Sequence, residues 1–521
     1  MNKRIEELTI DEKIGQLIMF GFHSTTLDEH ARSLIRDHRV GNVILFARNA
    51  ADPEQIFQLN QSLQELAEAE LGVPLFISID QEGGMVTRIK HGATFFPGAM
   101  TTTASGDPAS AHQIGLHMGR ELHALGINMN LAPVLDTNNN PHNPVIGVRS
   151  YSDDPNVVGT YGSAFVTGLQ EHVLATAKHF PGHGDTHVDS HLALPTIDAD
   201  KARLETLELI PFKQAIAAGL KVVMSSHINF SAINENGLPC TLSHNCLTNL
   251  LRQELKFDGL IITDCMQMKA IQHHYTTPEG ALMAIQAGAD LVCISHDSDL
   301  QIAAVRRIRA AVDSGELPMD VLDDRVARVL AFKSKLLPVP SAYEDVRPII
   351  ADLATKSYVQ SIVDNAVTLV RGTPFAQQGK VLVIASSPLA TTIADEDDGT
   401  IDILAAVNGR LPEFTTHRIP VRPEPADIET VLELASTFDQ VVCCTYNANI
   451  HTTQLDLVKA LQRQVSRLHV MTMRNPYDTL FAPELKNVTC FYEYTPNSIR
   501  SLIKYLSGEL KPQGRLPVHD V

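Results

Sequence analysis

The amino-acid sequence predicts an α/β fold of two units: an N-terminal TIM-type (β/α)8 barrel, then a smaller α/β sandwich with a mostly parallel sheet. Three observations support this prediction. The chain has 521 residues, more than one ordinary hydrophobic core accommodates. Short apolar runs alternate with longer helix-like stretches through the first two thirds, which is typical of repeated βα units. A proline-rich break at 337–341 then separates the two units.

Eight apolar runs in the N-terminal unit are predicted to be the strands of the barrel. They cover residues 16–22, 40–46, 74–80, 127–136, 173–178, 221–227, 259–264 and 290–295. Six of these runs end in polar side chains, which are Asp80, Asp136, Lys178 with His179, His227, Asp264, and Ser295 with His296. Because the carboxyl ends of parallel strands meet on one rim of a barrel, six such ends indicate a shared pocket.

Helix signals lie between the predicted strands. Asp52 followed by Pro53 predicts an N-cap with proline in the first turn of a helix. An amphipathic helix at 323–337 is expected to close the barrel. The predicted organisation is therefore a barrel over 1–335, a linker over 336–350 and a second α/β unit over 351–521.

The second unit shows three further buried-strand patterns, at 380–384, 440–444 and 468–472, separated by helix-like stretches. It contains neither GxGxxG nor GxxxxGK[ST], which disfavours nucleotide binding. Its sequence shows no catalytic constellation, so we expect a structural or dimer-forming role.

Composition and charge exclude several classes of partner. The net charge of −18 argues against a nucleic-acid groove and an anionic membrane surface, because both need clustered Lys and Arg. The N-terminus lacks the apolar region of a signal peptide, and no run is long enough for a transmembrane helix. Seven cysteines without metal-type spacing suit a reducing compartment, so we expect a cytoplasmic protein. We expect it to be a monomer or a homodimer.

One polar stretch, KHFPGHGDTHVDSH at 178–191, begins where a predicted buried strand ends. Barrel enzymes place their chemistry at such positions. One interpretation is a metal-dependent hydrolase, since His and Asp at strand ends hold Zn²⁺ in some proteins. Its candidate ligands are His179, His183, Asp185, His187, Asp189 and His191. Their spacing is unlike a known ligand pattern, and Lys178 would lie close to the cation.

The order of residues in KHFPGHG followed by DSH resembles the signature of family 3 glycoside hydrolases of the β-N-acetylhexosaminidase type. The resemblance implies that Lys178 and His179 bind sugar hydroxyls. It also implies that His191 acts as acid and base and that Asp189 orients it. A histidine has an unperturbed pKa of about 6.5, so it can donate and accept protons near neutral pH.

Three other segments resemble the same family. Asp264, at the end of IITD, resembles the catalytic nucleophile of that family. The alternative is that Asp264 is the N-cap of a helix starting near Met266. DQEGG at 80–84 resembles a sugar-binding motif of the family, which implies that Asp80 and the downstream Arg88 bind the ligand. The family usually has an arginine directly after the two glycines, and this chain has Met85 there. Arg149 resembles a substrate-binding arginine, the alternative being a surface residue held by Asp153 or Asp154.

The expected function is therefore a retaining exo-β-N-acetylglucosaminidase that acts on peptidoglycan- or chitin-derived fragments and needs no cofactor or metal. A phosphorylase on the same site is the close alternative, because a histidine acid/base does not repel phosphate as a carboxylate would. A non-catalytic sugar sensor would have no reason to keep Asp264 and His191 together. The metal-dependent barrel hydrolase is a remoter alternative.

Overall fold

The computed structural model describes residues 3–186, 194–234, 237–338, 340–386 and 401–519. Asp189 and His191 therefore lie outside the described residues. Within these described ranges the first unit has ten strands, which are β1 Ile18–Phe20, β2 Asn42–Leu45, β3 Phe76–Ile79, β4 Met129–Asn130, β5 Leu174–Phe180, β6 Thr196–Ile197, β7 Val222–Ser225, β8 Asn229–Phe230, β9 Leu260–Thr263 and β10 Val292–Ile294.

Eight of these strands form one parallel sheet in the order β10-β1-β2-β3-β4-β5-β7-β9. An isolated parallel bridge between Ile262 and Leu291 brings the two ends of the sheet together, so the sheet forms a nearly closed barrel. The strands β6 and β8 pair separately. Strands buried on both faces need continuous apolar runs, which is why these segments were recognisable in the sequence. The predicted barrel is confirmed.

Seven of the eight predicted runs are wider than the observed strands, whereas the run 173–178 ends two residues before β5 does. Gln16, the first residue of the first predicted strand, is instead the last residue of a helix. That helix begins at Ile10, where Thr9 and Glu12 form a capping box. In the run 127–136 only Met129–Asn130 forms a strand. Pro133, which has no N–H to donate, follows shortly after that strand.

The α-helices up to residue 366 are α1 Ile10–Gln16, α2 Glu29–Arg36, α3 Pro53–Glu70, α4 Ala99–Ala104, α5 Pro108–Ala124, α6 Pro155–Leu169, α7 Lys201–Thr206, α8 Leu209–Ala217, α9 Lys269–Gln272, α10 Thr277–Ala287, α11 Ser298–Ser314, α12 Met319–Lys333, α13 Tyr343–Val346 and α14 Leu353–Ala366. A π-helix covers Asn245–Glu254. Asp52 caps α3 and Pro53 is its first residue, as predicted. None of the helices in the described ranges has the length and apolar composition needed to cross a membrane.

The second unit is built on a six-stranded sheet with the order β11-β16-β15-β14-β12-β13. Its strands are β11 Thr368–Arg371, β12 Val381–Ser386, β13 Thr415–Ile419, β14 Gln440–Thr445, β15 Leu468–Thr472 and β16 Val488–Cys490. Its helices are α15 Ile403–Arg410, α16 Pro425–Ala435, α17 Thr453–Gln464, α18 Asp478–Phe481 and α19 Pro496–Leu506. Only the β11–β16 pair is antiparallel, so the sheet is mostly parallel, as predicted.

Both faces of this second sheet are buried. Alternate residues of β12 belong to two different apolar clusters: Val381 and Val383 pack on one face, Leu382 and Ile384 on the other. This alternation is expected for a strand between two layers. The second unit is therefore an α/β sandwich.

Candidate active site

The carboxyl ends of the barrel strands surround a cavity of about 390 Å³. Six residues at the predicted strand ends line it, namely Asp80, Lys178, His179, Asp264, Ser295 and His296. Asp136 and His227 are buried and are not among the lining residues. The structure thus brings together four of the six predicted strand ends around one cavity and buries the other two.

A network of charged side chains forms one part of the cavity. The Lys178 Nζ donates to Asp80 Oδ1 at 2.6 Å and lies 2.7 Å from Glu82 Oε1. Arg149 donates to the same Glu82 through two nitrogens, at 2.8 and 2.9 Å. Such a fork-shaped pair fixes both the position and the plane of the guanidinium. Glu82 therefore joins two cations from separate elements, since Lys178 lies in β5 and Arg149 in the 3₁₀ turn Gly147–Arg149.

The charges in this network stabilise one another although they are buried. Burial opposes ionisation of Glu82, but the charges of Arg149 and Lys178 hold the pKa of that carboxyl far below its usual value. Burial also acts against the charge of Lys178, but Asp80 and Glu82 raise the pKa of its ammonium above the ordinary value. Both groups are ionised at neutral pH, so the cavity presents fixed charges to a ligand.

Arg88 and Arg149 reach the cavity from buried positions. Arg88 Nη2 lies 3.9 Å from Asp80 Oδ2, and only 5% of Arg88 is exposed. Arg149 is 7% exposed, so the alternative of a surface arginine held by Asp153 or Asp154 is wrong. Asp153 pairs with His519 instead, and Asp154 caps α6.

A second polar group lies around Asp136, which is fully buried beneath the cavity. Its carboxylate accepts from the His179 Nδ1 at 2.7 Å and from the backbone N–H of His183 at 2.7 Å. Burial raises the pKa of Asp136, but the nearby His179 outweighs this and holds it below its usual value. The contact with Asp136 fixes the orientation of the His179 ring.

His183 lies beside His179, with ring centroids 5.7 Å apart. Its Nδ1 is 3.0 Å from the Thr186 hydroxyl. Burial, together with the neighbouring His179, lowers the pKa of His183 to about 4. His183 is therefore neutral near pH 7, and it adds no charge to the cavity wall.

Asp264 follows β9 directly and faces the same cavity. Its Oδ1 accepts from the backbone N–H of Cys265 at 2.7 Å. The next helix, α9, begins only at Lys269, so the alternative of an N-cap near Met266 is wrong. Nearby, His227 lies within 3.0 Å of the Cys265 carbonyl oxygen and so holds the backbone next to Asp264.

The described members of the histidine-rich stretch have partners within the protein. His179 contacts Asp136, His183 contacts Thr186, and Asp185 pairs with Arg203. Across the described part of the chain, no three His, Cys, Asp or Glu side chains are grouped so that they could hold a metal ion. The remaining candidates, which are His187, Asp189 and His191, lie outside the described residues.

Glu82 has no predicted role, although it lies in the DQEGG motif at 80–84. The signal was a second carboxylate two residues after Asp80, at the same strand end. Asp136 was recognised only as a polar strand end, and its contact with His179 joins residues 43 positions apart. Both omissions concern pairings that form only when separate strands are brought side by side.

An open barrel-rim cavity that combines a carboxylate at a strand end with fixed cations and hydrogen-bonding groups suits a polyhydroxylated ligand. The fold and the cavity thus define a (β/α)8-barrel protein with its candidate site on the carboxyl rim. Residues 9–332 match the glycosyl hydrolase family 3 N-terminal domain. The chain therefore belongs to glycosyl hydrolase family 3.

Several relatives were found by sequence and by structure. A β-hexosaminidase A of Pseudoalteromonas piscicida is 35% identical over 369 residues, which cover 63% of this chain and 62% of that relative. A β-hexosaminidase of Alkalilimnicola ehrlichii is 35% identical over 298 residues, or 56% of this chain and 84% of the relative. A family 3 β-N-acetylglucosaminidase from Paenibacillus sp. has 40% identity and a TM-score of 0.90, over 98% of this chain and 99% of that one.

Proposed function

We propose that this protein is a retaining exo-β-N-acetylglucosaminidase that releases terminal β-linked N-acetylglucosamine. One observation carries the proposal: Asp264 shares a single cavity with the network of Asp80, Glu82, Lys178 and Arg149. The relatives named as β-hexosaminidases and as a β-N-acetylglucosaminidase support this substrate class.

Asp264 is the proposed nucleophile. Its carboxylate attacks the anomeric carbon as the bond to the leaving oxygen breaks, which gives a covalent glycosyl-enzyme. Water then attacks the same carbon from the other face of the sugar and releases Asp264, so the two inversions give overall retention. The Cys265 N–H, 2.7 Å from Oδ1, orients the carboxylate for this attack.

His191 is the proposed acid and base. It donates a proton to the leaving oxygen in the first step and removes one from water in the second. Asp189 is proposed to orient the imidazole and to stabilise its charged form, as the Asp of a Ser-His-Asp triad does. This assignment rests on the family signature, since both residues lie outside the described part of the chain.

The remaining cavity groups are proposed to recognise the sugar. Asp80 can accept hydrogen bonds from two hydroxyls, and the contact with Lys178 at 2.6 Å holds its side chain in place. Lys178, Arg88 and Arg149 donate to sugar oxygens, and His179 forms a hydrogen bond with a hydroxyl through its Nε2. These contacts orient the anomeric carbon toward Asp264.

The natural substrates are proposed to be peptidoglycan- or chitin-derived fragments, handled in the cytoplasm. All seven cysteines are free, and six of them are buried. Free buried thiols support a reducing compartment.

Turnover of an aryl β-N-acetylglucosaminide compared with the matching aryl β-glucoside tests the proposal. We expect the first substrate to be cleaved and the second to be cleaved far more slowly. Equal rates would contradict the sugar specificity. Product analysis with and without inorganic phosphate is the second arm: free N-acetylglucosamine in both reactions supports hydrolysis, and a sugar 1-phosphate would show the phosphorylase alternative.

A further inference from the structure

The second unit contacts the rim of the barrel through the carboxyl edge of its own sheet. Asn449, Asn475 and Glu493 come shortly after β14, β15 and β16, and each binds a barrel loop. In open parallel sheets this edge is where ligands usually bind. Here the barrel's rim loops lie against it.

The first of these barrel loops follows β3 and carries Glu82 and Arg88. Within it, the backbone N–H groups of Glu82 and Gly83 donate to the Val86 carbonyl, which forms a tight hairpin. At the tip of the hairpin, Met85 packs against the apolar core of the second unit. The backbone N–H of Tyr494 donates to the Met85 sulfur at 3.2 Å. A methionine where the family usually has arginine thus serves as an apolar contact between the units.

Glu493 fixes the far end of the same loop. Its Oε2 accepts from the Gly98 backbone N–H at 2.9 Å and from the Thr101 hydroxyl at 2.8 Å. There is no room for a side chain at Gly84, because a Cβ there would lie 2.8 Å from the Cα of Gly98 and 3.1 Å from Glu493 Oε2. The loop that carries Glu82 and Arg88 is therefore held at its tip and at its end by the second unit.

The second loop follows β4 and carries Arg149. Its 3₁₀ turn, Gly147–Arg149, lies against Asn475, whose Oδ1 accepts from the Val148 backbone N–H at 3.2 Å. A Cβ on Gly147 would come within 2.5 Å of the same oxygen. The Tyr477 hydroxyl accepts from Asn138 Nδ2 at 2.7 Å in the same loop.

We infer that the second unit acts in catalysis by positioning the sugar-binding arginine, with Asn475 as the principal positioning residue and Glu493 as the second. Among the described residues that line the cavity, none lies beyond His296, so Asn475 is not part of the cavity wall. It instead holds Val148, the residue next to Arg149. This inference rests on the proposed role of Arg149 in sugar binding.

The geometry of the network explains why such positioning matters. Arg149 meets Glu82 through two hydrogen bonds at 2.8 and 2.9 Å, and this paired geometry tolerates little displacement. Glu82 also contacts Lys178, so a shift of Arg149 alters the charge around a second sugar-binding group. One loop of this network is held by Asn475 and the other by Glu493.

Three variants test the inference by steady-state kinetics on an aryl β-N-acetylglucosaminide. Asn475→Ala removes the acceptor for Val148, while Asn475→Asp keeps an accepting oxygen. Asn487→Ala is the matched control, because Asn487 Oδ1 also accepts a backbone N–H, that of Thr373, but within the second unit. We expect Asn475→Ala to raise KM about tenfold with a smaller change in kcat. Asn475→Asp and Asn487→Ala should keep the wild-type KM.

A double-variant comparison shows whether Asn475 acts through Arg149. If it does, adding Asn475→Ala to Arg149→Ala should cause no further loss of kcat/KM, because the two changes remove the same interaction. Independent losses that multiply would overturn the inference. So would an Asn475→Ala enzyme with the same KM as Asn487→Ala. A wild-type protein without turnover would refute the proposed function instead.

Thermal melting separates positioning from general destabilisation. Asn475→Ala and Asn487→Ala should melt at similar temperatures while their KM values differ. If Asn475→Ala does not fold, Glu493→Ala provides the same test, since it removes the acceptor for Gly98 and Thr101. An unchanged KM in folded Glu493→Ala would then overturn the inference.

Discussion

Two carboxylates at strand ends, Asp80 and Asp264, share one cavity but have different surroundings. Asp80 is held by Lys178 at 2.6 Å, with Arg88 at 3.9 Å. Asp264 accepts from the backbone N–H of Cys265. A carboxylate paired with cations is a weaker nucleophile and a good hydroxyl acceptor, so the surroundings of Asp80 favour binding.

Replacing Asp264 by asparagine should therefore abolish the covalent step. We expect kcat of Asp264→Asn on an aryl β-N-acetylglucosaminide to fall by about three orders of magnitude or more, because no other group can take over the attack. Asp80→Asn is the comparison, and it should mainly raise KM. Near-normal turnover by Asp264→Asn would contradict the assignment.

The proposed acid His191 can be tested through its dependence on the leaving group. His191→Ala should be severely slowed on a natural disaccharide, whose alkoxide is a poor leaving group. It should be slowed much less in forming the glycosyl-enzyme from a nitrophenyl glycoside. Because the same imidazole must activate water, deglycosylation should become slow and a burst of nitrophenol should appear, measurable by stopped flow.

Two controls accompany the His191 experiment. Asp189→Ala should show a milder form of the same profile, since the imidazole remains but loses its orienting partner. A small anion such as azide should accelerate deglycosylation in His191→Ala. An equal loss on both substrates, without burst or rescue, would mean that the proton comes from another group.

At the scale of elements, Asp478 joins the segments that follow β14 and β15. It begins α18, and its carboxylate accepts from the Thr445 hydroxyl at 2.6 Å and from the Asn449 backbone N–H at 2.8 Å. Burial raises the pKa of Asp478 to about 6. This carboxyl supports the same edge of the sheet that contacts the barrel.

The raised pKa predicts how this element responds to pH. The folded carboxyl keeps its proton to a higher pH than the unfolded one, so its ionisation destabilises the fold as pH rises from about 4 to about 6. Asp478→Asn lacks this effect. Between pH 4.5 and 7.5 the variant should gain about 2 kcal/mol in free energy of unfolding relative to wild type, by urea titration. If the difference in free energy of unfolding between Asp478→Asn and wild type stayed constant over this pH range, the raised pKa would be contradicted. The KM of the variant should equal that of the wild type.

At the scale of the whole molecule, the charge of the cavity differs from that of the chain. The net charge is −18, yet the described residues that line the cavity include five cations and three carboxylates. The cations are Arg48, Arg88, Arg149, Lys178 and Lys269. The cavity thus concentrates positive charge locally, which suits hydroxyl-rich or anionic ligands and not the extended surface that a nucleic acid needs.

The proposed mechanism draws its nucleophile, its proton donor and its hydroxyl-binding charges from side chains alone. Dialysis against EDTA should therefore leave kcat and KM unchanged, measured on the same aryl substrate. Loss of activity that Zn²⁺ or Mn²⁺ restores would favour the metal-dependent hydrolase instead. Dialysis without EDTA is the control.

The sequence alone determined the fold class and the strand ends that line the cavity. Strands buried on both faces require apolar runs, and a polar residue directly after such a run lies on the rim wherever the barrel closes. Asp80, Lys178, His179 and Asp264 could be recognised in this way. The exact strand boundaries could not be recognised in the sequence, because they depend on where neighbouring helices begin and end. The helix Ile10–Gln16, which Thr9 caps, is an example.

The tertiary structure alone decided which polar groups pair. Glu82 and Arg149 are 67 residues apart, and no periodicity connects them. Asn475 lies 327 residues from Val148, so its support of Arg149 exists only when the two units pack together. The physical reason is that burial and charge pairing depend on distances in space, whereas strand and helix patterns depend on neighbours along the chain.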